Sequence, residues 1–75
     1  MSRDFHVIRD PHRRGWNVTR AGRTLSHHRK QSRAVTMGRR AARRMRVDLV
    51  THGCDGRVRS KDSYGNESPV RDGEH

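Results

Sequence analysis

The sequence predicts an α+β domain of ββ(β)αββ order, a small antiparallel sheet with one amphipathic helix packed on it. Three observations carry that expectation. Short β-branched and aromatic runs occupy Phe5–Arg9 and Trp16–Arg20. From about Ser32 the apolar period changes from two to that of a helix. Beyond the helix, Gly53-Cys54-Asp55-Gly56 carries the Asp-Gly signal of a tight hairpin between two further short runs.

Phe5-His6-Val7-Ile8-Arg9 reads as the first strand. Asp10 to Gly15 is a turn, in which Pro11 fixes φ and Gly15 permits a positive one. In the second strand Trp16 and Val18 share one face, and Asn17 and Thr19 the other. Ala21-Gly22 reverses the chain into a weaker strand, about Thr24 to His28, whose one strong apolar residue is Leu25. The helix is expected over about residues 32–46. Ala34, Val35, Gly38, Ala41, Ala42 and Met45 form its apolar stripe, and Ser32, Lys30 or Gln31 its N-cap. Gly38 weakens a helix by about 1 kcal/mol relative to Ala, so close packing on the sheet is the expected compensation. A hairpin over about residues 48–61 follows, with strands Asp48–His52 and Arg57–Lys61 and a further turn at Asp62–Asn66.

With 75 residues, 28% apolar and 4% aromatic, the chain has room for one small core. A single domain over residues 1–66 is expected, followed by a flexible polar tail at 67–75. A core of this size supplies about 3–5 kcal/mol, so a partner that screens charge should stabilise the fold. Cys54 stands alone and points to a reducing compartment. No apolar run approaches a membrane span and no signal peptide follows Met1, so the expected location is the cytoplasm, at the nucleoid.

The motifs of the second half resemble a known family. Gly38-Arg39, Ala41-Ala42-Arg43, Asp48-Leu49-Val50-Thr51-His52-Gly53, Asp55-Gly56-Arg57-Val58-Arg59 and Ser63-Tyr64-Gly65-Asn66 are similar to the short bacterial and phage domain-of-unknown-function family numbered 2188, with its HG-x-DGR-[IV]-R and SYGN motifs. His6-Val7 and Gly15-Trp16-Asn17-Val18 match its opening hairpin. The resemblance covers roughly residues 5–66 and implies the same element order, with no established activity. Helices of the family usually mix Glu with Arg on the exposed face. Here that face has six arginines and no acid, so the functional expectation rests on this departure.

Between Pro11 and Val47 lie twelve basic residues and no acidic one, within a formal net charge of +10. Like charges at i, i+3 and i+4, such as Arg39–Arg43 and Arg40–Arg44, each cost a helix about 0.2–0.5 kcal/mol. A merely solubilising face normally mixes signs, so a polyanion is the better explanation. The expected site is the helix face of Arg33, Arg39, Arg40, Arg43, Arg44 and Arg46, flanked by Arg13, Arg14, Arg20 and Arg23. Single-strand binders need aromatic stacking platforms. Trp16 and Phe5 are needed for the core and only Tyr64 is left over, so double-stranded DNA is favoured. A helix in the major groove would use Arg39, Arg40, Arg43 and Arg44, and a sheet in a groove would use Asn17 and Thr19. Charge density favours the helix.

Other chemistries fit less well. His27-His28 and His52-x-Cys54 have no zinc-site spacing, and adjacent strand histidines point to opposite faces, so no metal or other cofactor is expected. Asp55 and Asp62 suit turns better than acid–base work, and no nucleophile–base set is present, so no enzyme is expected. Cys54, at a hairpin tip, offers at most a reactive or dimer-forming thiol. The expectation is a small DNA-binding protein, nucleoid-associated or regulatory, holding phosphates with weak sequence preference. The rival is a phage or accessory inhibitor docking on an acidic surface of a host protein. A homodimer through an exposed edge strand fits either.

Overall fold

The computed structural model describes residues 3–65; the tail at 67–75, with Asn66, Met1 and Ser2, lies outside the described residues. The elements are β1 (Phe5–Arg9), β2 (Trp16–Arg20), β3 (Arg23–His28), α1 (Gln31–Met45), β4 (Leu49–His52) and β5 (Val58–Asp62). The five strands form one sheet in the order β3-β2-β1-β4-β5, and α1 packs against β1 to β4. The α+β class and the element order are as expected. Strand and helix ends differ from expectation by at most one residue.

The sheet is mixed rather than wholly antiparallel. β4 pairs with β1 in parallel, with Phe5 opposite Leu49 and Val7 opposite Thr51. The reason is geometric. β1, β2 and β3 run up, down and up as a meander, α1 brings the chain back down, and β4 must therefore run parallel to β1. Hairpin signals identify neighbours joined by short turns, and β1 and β4 are joined by none.

Each turn has its own chemistry. The Asp10 carboxylate accepts the backbone N–H groups of His12 at 2.8 Å and Arg13 at 3.1 Å, and Asp10 N–H donates to the Gly15 carbonyl at 3.0 Å. Gly15 has φ +120°, and a Cβ there would lie 2.6 Å from the His28 carbonyl. Ala21 and Gly22 have φ of 52° and 79°, the two positive values that a type I′ hairpin turn requires. Gly53 N–H donates to the Arg57 carbonyl at 2.8 Å to close the last hairpin.

The helix begins at an N-cap Lys30 without a side-chain cap bond, so Ser32 does not cap it. It ends in a Schellman motif: Val47 N–H donates to the Ala42 carbonyl at 3.0 Å and Arg46 N–H to that of Arg43 at 3.3 Å. Arg46 thus stands outside the helix, in the left-handed region at φ 58°, where glycine is the usual residue.

The core lies between α1 and one face of the sheet. Phe5, Val7, Val18 and Leu49 meet Ala34 and Ala42, and Trp16, Val35, Ala41, Val47 and Tyr64 pack around them. Met45, expected on the buried stripe, is 47% exposed in the last helical turn. Asn17, expected to be exposed, is buried; its Oδ1 lies 2.7 Å from His27 Nδ1. Tyr64, expected to be free, packs against the core.

Gly38 sits at the centre of the helix–sheet contact. A Cβ on Gly38 would lie 2.8 Å from Leu49 Cδ1 and 3.4 Å from Val7 Cγ2, and both partners are fully buried. Overpacking there costs about 1–3 kcal/mol, against about 1 kcal/mol of improved helix propensity. Gly38→Ala should therefore lower stability by about 1 kcal/mol in urea denaturation, the reverse of its effect in an unconstrained helix. Gly38→Val should cost more.

Candidate nucleic-acid interface

The expected cationic residues are placed by three different elements. Arg33, Arg39, Arg40, Arg43 and Arg44 project from α1 and are exposed, and Arg46 follows at its C-terminal cap. Arg20 ends β2 and Arg23 begins β3, at the same end of the molecule as the helix C-terminus. Arg13 and Arg14 lie in the β1–β2 turn at the opposite end.

These residues form more than one group. Arg20, Arg40, Arg43 and Arg44 line a common groove between α1 and the β2–β3 hairpin. Arg33 lies beside His27, His28, Arg29 and Lys30 at the start of the helix. Arg13 and Arg14 share a cleft of about 600 Å³ with Arg9, His12 and the Gly53–Gly56 hairpin tip. Arg39 faces the other flank of the helix, where its Nε donates to Asp62 Oδ2 at 3.2 Å. The expected quartet of Arg39, Arg40, Arg43 and Arg44 is therefore divided, because β5 supplies a carboxylate to one side of α1 only.

Acidic residues are placed so that they leave most of this surface unneutralised. Asp10 pairs with Arg13 and His27, Asp48 with Lys61, Asp55 with Arg57 and Asp62 with Arg39. Asp4 Oδ1 accepts the backbone N–H of Asp48 at 3.2 Å. Among the described residues Arg33, Arg40, Arg43, Arg44 and Arg46 form no ion pair. Arg20 has a structural duty as well: its Nε donates to the Arg3 carbonyl at 3.0 Å and its guanidinium lies 5.0 Å over the Phe5 ring. Asp10, with two backbone donors on one oxygen and Arg13 on the other, has its carboxyl pKa held down to about 2.

On the sheet face away from α1, strand alternation places His6, Ile8, Asn17, Val50 and His52. No described helix or strand covers this face. His6 and His52 stack there with ring centroids 5.3 Å apart, and His6 Nδ1 lies 3.0 Å from His52 Nε2. His52 Nδ1 lies 3.2 Å from the Gly56 carbonyl and must donate to it. A neutral His52 then accepts at Nε2, so His6 donates from Nδ1. The sequence marks both histidines but gives no sign that they meet, since parallel pairing of β1 with β4 brings them together.

The family model for uncharacterized proteins conserved in bacteria, DUF2188, matches residues 5–64, and the chain belongs to that family. No curated protein and no solved structure matches it.

Burial, and then the neighbouring His52 ring, lower the His6 pKa from 6.5, with Asp4 opposing them. The unfolded chain therefore holds this proton more tightly than the native one. The His6 contribution to stability is complete above pH 6.5 and declines as pH falls through the native value. NMR titration of the His6 ring should give a midpoint below 6.5. His6→Asn, which keeps a donor near the Nδ1 position, should flatten the loss of stability as pH falls below 6.5.

Proposed function

We propose that the protein binds double-stranded DNA, mainly at phosphates, through the outward arginines of α1. One observation supports this reading above the others: Arg33, Arg40, Arg43 and Arg44 stand exposed on one rigid element without an ion pair among the described residues, while every described aspartate is engaged elsewhere. At 1.5 Å rise per residue, Arg33 and Arg44 are about 16 Å apart along the axis, enough to reach across a major groove about 12 Å wide.

Arg46, Arg23 and Arg20 extend this surface at the helix C-terminus, and Arg14 offers a further contact at the far end. Arg13 and Arg39 contribute less, because Asp10 and Asp62 already hold them. The sheet face is a poorer reader of a groove. Asn17 is buried against His27, and no arginine of the central strands β1 and β2 lies on that face. Arginines without a placed Asn, Gln or Glu read few bases, so weak sequence preference and a nucleoid-associated or regulatory role follow. The edge strands β3 and β5 each carry a register shift against their neighbour, which opposes edge-to-edge dimerisation and favours a monomer on the duplex.

Replacing Arg33, Arg40, Arg43 and Arg44 together with Gln should leave the fold intact, since all four are exposed. The slope of log affinity for random duplex against log salt should flatten by about 3–4, near 0.9 for each lost phosphate contact. Arg39→Gln alone should change it by less than Arg40→Gln. An unchanged slope in the fourfold variant would transfer the site to the cleft around Arg9, Arg13 and Arg14.

A further inference from the structure

The groove between α1 and the β2–β3 hairpin is built for more than phosphate. Leu25, Met37 and Met45 are 55%, 44% and 47% exposed, and they are three of the four large apolar side chains left exposed among the described residues. All three line this one groove, of about 700 Å³, with Ala41 and the Phe5 ring between them. Met37, Ala41 and Met45 follow at i, i+4 and i+8 and make one apolar line along the helix. Arg20, Arg40, Arg43 and Arg44 border it.

The opposite wall depends on a β-bulge. Val18 pairs with Ser26 and Thr19 with Thr24, which leaves Leu25 as the extra residue of β3. Bulges re-aim a side chain, and this one gives the edge strand an apolar contact facing α1. The cationic border is partly preset, because the Arg3 carbonyl and the Phe5 ring hold the Arg20 guanidinium in place.

We infer that this groove docks an acidic amphipathic helix of a partner protein, its apolar side chains on Leu25, Met37 and Met45 and its carboxylates on the four arginines. Helix-in-groove recognition uses apolar anchors at i, i+3 or i+4 and i+7, and methionine adapts its shape to varied anchors. Phosphates alone have no use for three apolar contacts. A second copy of this chain in the same groove would set arginine against arginine. The inference does not require duplex binding, but it shares Arg40, Arg43 and Arg44 with it, so peptide and duplex would exclude one another.

The test uses two labelled synthetic peptides of about sixteen residues, identical in their Leu and Glu content. One has Leu at helical spacing with Glu on the flanks, and the other has the same residues scrambled. Fluorescence anisotropy at about 0.15 M salt should give at least about tenfold tighter binding for the patterned peptide. The variant Leu25→Ser, Met37→Gln, Met45→Gln should remove that preference and keep the wild-type affinity for random duplex to within about twofold. Should this variant lose its native backbone spectrum, Met37→Gln alone replaces it, with a loss of at least about threefold expected for the patterned peptide only. Equal binding of the two peptides, or full patterned-peptide affinity in a folded variant, overturns the inference. So does a loss of duplex affinity without a loss for the peptide, which would make the groove part of a nucleic-acid surface. Failure of duplex to bind the wild type would refute DNA binding and leave the peptide result standing.

Discussion

The missing side chain at Gly38 sets the distance between the helix and the sheet. With Leu49 and Val7 pressed against its Cα, α1 can bury only small residues at Ala34, Gly38 and Ala42. The sheet supplies the bulk of the core through Phe5, Val7, Val18 and Leu49. A helix seated this close has a narrow buried stripe, so longer side chains on its flanks must go elsewhere. The arginines reach solvent, and Met37 reaches the groove beside β3. Core geometry and exposed chemistry thus have a common origin.

Charge is arranged against the grain of local stability. Lys30, Arg29 and Arg33 gather at the helix N-terminus, where the macrodipole favours anions, and the first turn has no acid. Arg43 and Arg44 in the last turn are better placed. Arg46 occupies a left-handed position that glycine would take without strain. The described carboxylates sit in turns, at strand ends and beside β5, where they fix local geometry and leave the outer helix face cationic. In a domain with so small a core, self-repulsion of this kind is a standing cost that a polyanionic or acidic ligand would relieve.

Much of the fold was legible because it depends on short-range signals. The runs at Phe5–Arg9 and Trp16–Arg20 are strands to the residue, and Gly38 has the packing role that its place on the small-residue stripe implies. What was not legible depends on contacts between distant segments. Alternation separates Asn17 from Trp16 but does not reveal that His27 and Asp10 enclose the amide. The stacking of His6 on His52 follows from a parallel pairing that no turn announces. For the candidate site, exposure of the arginines was readable from the helical period. Their division into groups was not, because Asp62 and the bulge at Leu25 act from strands far away in sequence. The line of Met37, Ala41 and Met45 was present in the period as a second apolar row, hidden beneath the charge.

The parallel ladder has a consequence for how the chain reaches this state. β1 is the first strand in sequence, yet it lies at the centre of the sheet and completes its pairing only with β4. The β1–β2 and β2–β3 hairpins form from near neighbours, whereas Phe5 must find Leu49 across the whole helix. Closing so long a loop is the slow, entropically costly event of such a topology. In chain order the entire arginine block therefore precedes the strand that completes the sheet beneath its helix. Until β4 pairs with β1, the Gly38 stripe has Val7, Phe5 and Val18 beneath it but lacks Leu49, and the polycation is displayed on a chain that has not yet closed its core.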